Sequence, residues 1–271
     1  MHALLSHTAV QAFLAPFLVA LLTAELLQRM RLSGLAIIAG FAITVYLTSG
    51  FAYAPLTGTR KIIWLGLAAG LFAVPLSIAN WWLWRPVLTV LAAAAAVWVT
   101  LHLLLQQPVA TALQWGAGCA LFVGWLVFWM DELHDYPVRA ASAGLALGLG
   151  SGAALLLSGA TLLGKFDLAV GAAAFAFLFI MLVSNSHLSC GRSFTLPLSL
   201  IAGLSACFAL LTTTLPWYTL AVLAAIPLAA KLPVSDRSPV WLQATLLSAA
   251  TLLCALGAVY SSGRLHGWGF F

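Results

Sequence analysis

The chain has 271 residues, 63% of them hydrophobic and only 6% Asp, Glu, Lys or Arg, with a formal net charge of +5. A soluble domain needs several times more charge to cover its surface, whereas a lipid-facing one avoids charge. The composition therefore excludes a water-soluble globular fold. The small basic excess, with no recognition helix and no aromatic platform interleaved with Arg, excludes a nucleic-acid surface.

A mean hydropathy of +1.09 and repeated apolar runs of about 18 residues or more meet the length needed to cross a hydrocarbon core of roughly 30 Å. The expected fold is all-α: a polytopic transmembrane helical bundle of about 10 spans, with a range of 8–10. The runs read in chain order as 8–28, 33–53, 62–80, 86–106 and 109–130, then 138–163, 168–186, 195–214, 216–231 and 240–261. The first lacks a positively charged leader and ends at Gln28-Arg29, so it reads as a retained helix. Joints fall at Gln28 to Arg31, at Pro55 with Gly58 to Lys61, at Trp84-Arg85-Pro86 and at Gln106-Gln107-Pro108. The later ones are Gly164 to Asp167 and Pro233 to Pro239. Pro and Gly mark turns, and a proline after Gln107 suits the first turn of a new helix. Trp81, Trp82 and Trp84, with Trp125 and Trp129, form the aromatic belt of a membrane interface.

With ten spans, the odd joints carry Arg29, Arg31, Arg85, Arg139, Arg192, Lys231 and Arg237, against Arg60, Lys61, Lys165 and Arg264 elsewhere. The positive-inside rule then puts both termini on the non-cytoplasmic side, and a bacterial cytoplasmic (inner) membrane is the expected location.

The two halves, 1–135 and 136–271, resemble one another in punctuation. Ala24 to Arg29 matches Ala160 to Lys165, Arg60 matches Arg192, and Pro108-Val109 matches Pro239-Val240, at offsets of 136, 132 and 131 residues. Two five-helix halves of odd span number must be inverted relative to each other, a device of secondary transporters. The layout resembles the five-plus-five architecture of the drug/metabolite transporters; no motif accompanies that likeness, and no residue role is carried over from it. Gly144, Gly148 and Gly152 on the sixth span, and Gly66 and Gly70 on the third, are spaced for close helix contact.

Ionisable groups inside spans are functional candidates, because charge is costly in lipid. Glu25, near the end of the first span, would bind a proton or cation, or else pair with Arg29 one turn on. His102 lies well inside the fourth span, as a relay, a ligand or a structural partner of Gln106. Tyr46 and Ser49 end the second span, and Asn185 and His187 end the seventh; the two polar ends would converge on a solute. Asp131, Glu132, His134 and Asp135 form an acidic patch between the halves, as a solvated linker, a partner contact or a cation site. Their spacing fits no calcium or zinc pattern, and the four cysteines form no CxxC, so no metal is expected. No Walker loop, nucleophile elbow or Rossmann glycine run is present, so no enzyme activity and no cofactor are expected. The expected function is a small secondary transporter or permease, its partners being the lipid bilayer and a small-molecule solute. The alternatives are a non-catalytic membrane subunit or assembly factor with a partner subunit, and a haem- or quinone-binding anchor.

Overall fold

The computed structural model describes residues 8–30, 32–51, 54–78, 83–184, 188–234 and 238–263. Ten helices follow one another along the chain, with no strand among the described residues. They are α1 (Val10–Leu27), α2 (Ser33–Thr48), α3 (Gly58–Ile78), α4 (Trp84–Leu104) and α5 (Val109–Glu132) in the first half. The second half has α6 (Pro137–Leu157), α7 (Thr161–Ser184), α8 (Arg192–Thr212), α9 (Trp217–Ala229) and α10 (Val240–Gly263). Eight of these are long and apolar enough to cross a membrane; α2 and α9 are shorter apolar helices. The chain is an all-α membrane bundle, as its composition requires.

Helix starts follow the local chemistry. Pro108 and Pro216 are extended N-caps, with ψ of 144° in each, and Pro137 occupies the first turn of α6, where a missing N–H costs nothing. The α6–α7 turn is made by Gly159 at φ +89°, a backbone conformation that side chains disfavour. That turn corrects the expected joint. Residues 164 to 167 are not a loop but the first two turns of α7, which begins at Thr161. Lys165 reaches outward to the Gln11 amide oxygen at 3.1 Å, while Asp167 turns inward. Their polarity imitates a loop in the sequence, yet the glycine three residues earlier makes the turn.

Three helices form the centre. About 78% of the hydropathic window of α6, 72% of α7's and 83% of α8's is buried, against 22–39% for the other five long helices. Helix α6 lies on α7, α8 and α10, and α8 also contacts α3, α4 and α5. The glycine stripe foreseen on the sixth span is the contact between α6 and α7. A methyl on Gly148 would fall 2.4 Å from the Gly171 nitrogen, and one on Gly152 would meet Leu168 at 2.8 Å. Gly66 and Gly70 of α3 likewise admit Ile201 and Ile38. Small residues let these backbones approach until dispersion contact is continuous.

Successive helices run in opposite directions, so the bundle has two ends. One gathers the ends of α1, α3, α5, α7 and α9 with the starts of α2, α4, α6, α8 and α10; it is called here the basic end, since Arg29, Arg85, Arg139, Arg192 and Lys231 lie there.

Candidate functional site

At the basic end a polar pocket of about 750 Å³ opens between the helix termini. Gln28 from the end of α1, Ser77 from α3, His134 and Asp135 from the α5–α6 loop, and Leu188 to Arg192 line it. The sequence separates these segments widely; the bundle brings the 131–135 patch and the polar run after the seventh span together.

The floor of the pocket is a buried ion pair. Arg192, the first residue of α8, donates Nε to Asp131 Oδ1 at 2.9 Å, with each side chain only 5% exposed. Its Nη1 donates to the Leu76 carbonyl at 3.1 Å, so one guanidinium joins the ends of α3 and α5 to the start of α8. Gly191, at φ +64°, turns the chain into that helix and donates its N–H to the His134 carbonyl at 3.3 Å. Ser33 donates to the Ser189 carbonyl at 2.7 Å, tying the same loop to the start of α2.

Glu132 makes a second junction. Its Oε2 accepts from Arg85 Nη2 and from Lys231 Nζ, each at 2.6 Å, which connects α4, α5 and the end of α9. Arg85 also lies 3.7 Å over the Phe128 ring and Lys231 3.9 Å over Trp129, so both cations rest on aromatic faces of α5. Trp129 is therefore a platform for a lysine, in addition to sitting at the interface.

His134 bonds through Nδ1 to the Asp131 carbonyl, and its Nε2 stands 3.3 Å from Asp135 Oδ1. Asp135 itself is 72% exposed in its side chain. The acidic patch is thus divided. Asp131 and Glu132 are consumed by internal cations, which differs from a solvated linker, while His134 and Asp135 face the pocket. Cys190 is buried beside them; burial, reinforced by the negative charge of Asp135, pushes its thiol well above the ordinary range. The pocket therefore holds a protonated thiol rather than a ready nucleophile.

Other expected residues lie apart. Glu25 is exposed on α1 and forms no ion pair with Arg29. Tyr46 and Ser49 are exposed at the end of α2, which is the end of the bundle opposite the pocket. His102 is exposed on α4, with its Nε2 3.3 Å from the Gln106 amide, the partner foreseen for it. Asn185 and His187 lie outside the described residues. The polar end of α2 and the segment after α7 stand at opposite ends, so they line no common site. Among the described residues no three His, Cys, Asp or Glu side chains are grouped to hold a metal ion.

One ionisable residue escaped the sequence reading. Asp167 of α7 is fully buried, six residues into the helix and so about 9 Å from its start. Ser151 of α6 and Ser205 of α8 flank its carboxylate. Each hydroxyl, however, donates to a carbonyl of its own helix, Ser151 to Leu147 at 2.7 Å and Ser205 to Ile201 at 2.8 Å. Both carboxylate oxygens are left without a hydrogen-bond donor. Compared with known proteins, the chain matches no family model and no curated relative.

Proposed function

We propose that this protein is a secondary transporter or permease for a small polar solute, resident in a bacterial cytoplasmic membrane. The observation that carries the reading is the pocket of about 750 Å³ at the basic end, polar in an otherwise apolar bundle and walled by the termini of helices from both halves. Clefts of this size suit small molecules, and a floor fixed by the Asp131–Arg192 pair gives the wall a defined shape. The positive-inside rule puts this end in the cytoplasm and both termini outside.

An inverted repeat supports the reading. Arg60 and Arg192 stand at the starts of α3 and α8, and Pro108 and Pro239 just before α5 and α10, each pair on opposite ends of the bundle. Helices α3 and α8, equivalent in such a repeat, pack on each other, and α1 on α2 and α4 on α5 repeat as α6 on α7 and α9 on α10. The third match is displaced, because Ala160 to Lys165 begin a helix where Ala24 to Arg29 end one. Two bundles related in this way rock about a shared site to expose it alternately.

The test is uptake into proteoliposomes across a panel of labelled small solutes, with Ser77→Phe and Ser189→Phe filling the pocket. At least one solute should accumulate with the wild type, and both variants should lose most of that uptake without losing thermal stability. Transport that survives both fillings would remove the pocket as the route, and no flux for any solute would sink the transporter reading.

A further inference from the structure

We propose that Asp167, Ser151 and Ser205 form a proton-binding site inside the membrane-spanning bundle. As the coupling site of a transporter it rests on the reading above; as a proton-binding site it does not. Three central helices converge there, and all three side chains are buried, none more than 1% exposed.

The direction of the hydrogen bonds carries the argument. The protons of both serine hydroxyls are committed to Leu147 and Ile201 carbonyls, so each serine offers only oxygen lone pairs to its surroundings. The carboxylate also offers only lone pairs when ionised, and neither of its oxygens meets a donor. Acceptors facing acceptors in a dry interior repel, and an ionised carboxylate buried without a partner is costly. One proton on Asp167 resolves both problems: the carboxylic acid then donates to a serine oxygen, and no net charge is buried.

No neighbouring cation does this job instead. On α7 itself the nearest is Lys165, whose ammonium is turned to Gln11 of α1. Arg139 of α6 and Arg192 of α8 begin their helices at the opposite, basic end, and Arg192 is already held by Asp131. Glu25 of α1 and Tyr46 of α2 are exposed, and Tyr260 of α10 is exposed as well. Cys207 of α8 directs its thiol to the Cys119 carbonyl at 3.7 Å.

A proton also fits the space better than a metal cation. Hard metal ions take six or more oxygen ligands, whereas three side chains here bring four oxygens. The wall has no room to add more: a methyl on Gly148 would already lie 2.9 Å from the Asp167 carbonyl oxygen. The glycine seam between α6 and α7 closes directly over the site. Proton exchange with water then requires these two helices to part.

Infrared difference spectroscopy of purified protein in liposomes tests the site without any solute. At neutral pH the wild type should show the carbonyl stretch of a protonated carboxyl group, shifted by deuterium exchange and missing in Asp167→Asn. Should Asp167→Asn not fold, Ser151→Ala and Ser205→Ala provide a second probe, since removing an acceptor moves the band of Asp167 and no other. Absence of the band in the wild type overturns the proposal. A band that disappears when sodium or lithium is added also overturns it, in favour of a metal-cation site. A band that persists while solute addition moves no protons across the membrane supports the site and removes transport.

Discussion

Replacing Gly148 by alanine tests the packing on which the whole bundle depends. The added methyl would lie 2.4 Å from the Gly171 nitrogen, 2.5 Å from its Cα and 2.9 Å from the Asp167 carbonyl oxygen. Carbon atoms pack best at about 3.5–4.0 Å, so the shortfall is on the order of 1 Å. All three obstructing atoms are backbone, so no rotamer change relieves the clash and the helices must separate. A radial gap of about 0.5–1 Å already forfeits a quarter to a half of each contact's attraction, and overpacking of this kind costs roughly 1–3 kcal/mol. The expected loss lies at the upper end, about 3 kcal/mol, because α6 and α7 touch along their length. Gly118→Ala in α5 is the control: nothing lies within 4 Å of its added methyl, so helix propensity alone should stabilise it by about 0.5–1 kcal/mol. Denaturant unfolding in one mild detergent, followed by tryptophan fluorescence, gives both values. If the two variants unfold within about 0.5 kcal/mol of each other, the close contact of α6 and α7 is wrong.

Two further predictions concern the basic end. Asp131→Ala leaves the Arg192 guanidinium buried without its partner, at 5% exposure, and should cost about 3–5 kcal/mol, whereas Asp131→Leu combined with Arg192→Met should recover most of that loss. A double variant no more stable than the single one would show that the pair is not the element being broken. Cys190 should alkylate slowly at neutral pH, because burial and Asp135 both keep the thiol protonated and only the thiolate reacts. Its rate should climb as pH rises above the ordinary thiol range, and Asp135→Asn should speed the reaction at any fixed pH. Rapid labelling of Cys190 at neutral pH, mapped by peptide mass spectrometry, would contradict that environment.

The sequence carries the fold more fully than it carries the site. Apolar length and sparse charge locate ten helices, because spanning length is a one-dimensional property. The glycine spacing on α6 also survives intact, since residues four apart share a helix face whatever the partner is. The meaning of individual charges does not survive, because it depends on which other helix arrives beside them. Asp131 and Glu132 look like a solvated linker until Arg192, 61 residues away, and Arg85, 47 away, reach them. Asp167 looks like a joint because Lys165 stands beside it. One signal for Asp167 was available: Ala160, Gly164, Asp167, Gly171 and Ala174 fall three or four apart, so the carboxylate occupies a stripe of small residues. A charge on the face through which a helix packs most closely cannot be a loop marker.

The two ends of the bundle handle buried charge in opposite ways, and the difference separates scaffold from function. At the basic end every buried charge has its complement: Arg192 holds Asp131, and Arg85 and Lys231 share Glu132. Such pairs fix where helices begin and end, and their net charge cannot change without breaking a contact. Asp167 has no complement, and its nearest polar neighbours present the same polarity as itself. Removing it in favour of an apolar residue would relieve a cost at no expense in contacts, so stability gives no reason for it to be there. A carboxyl group retained against stability, sealed beneath the tightest helix seam in the molecule, is best understood by what it binds. The seam that buries it is also the one whose opening would release a proton, so packing and proton exchange are governed by the same glycines.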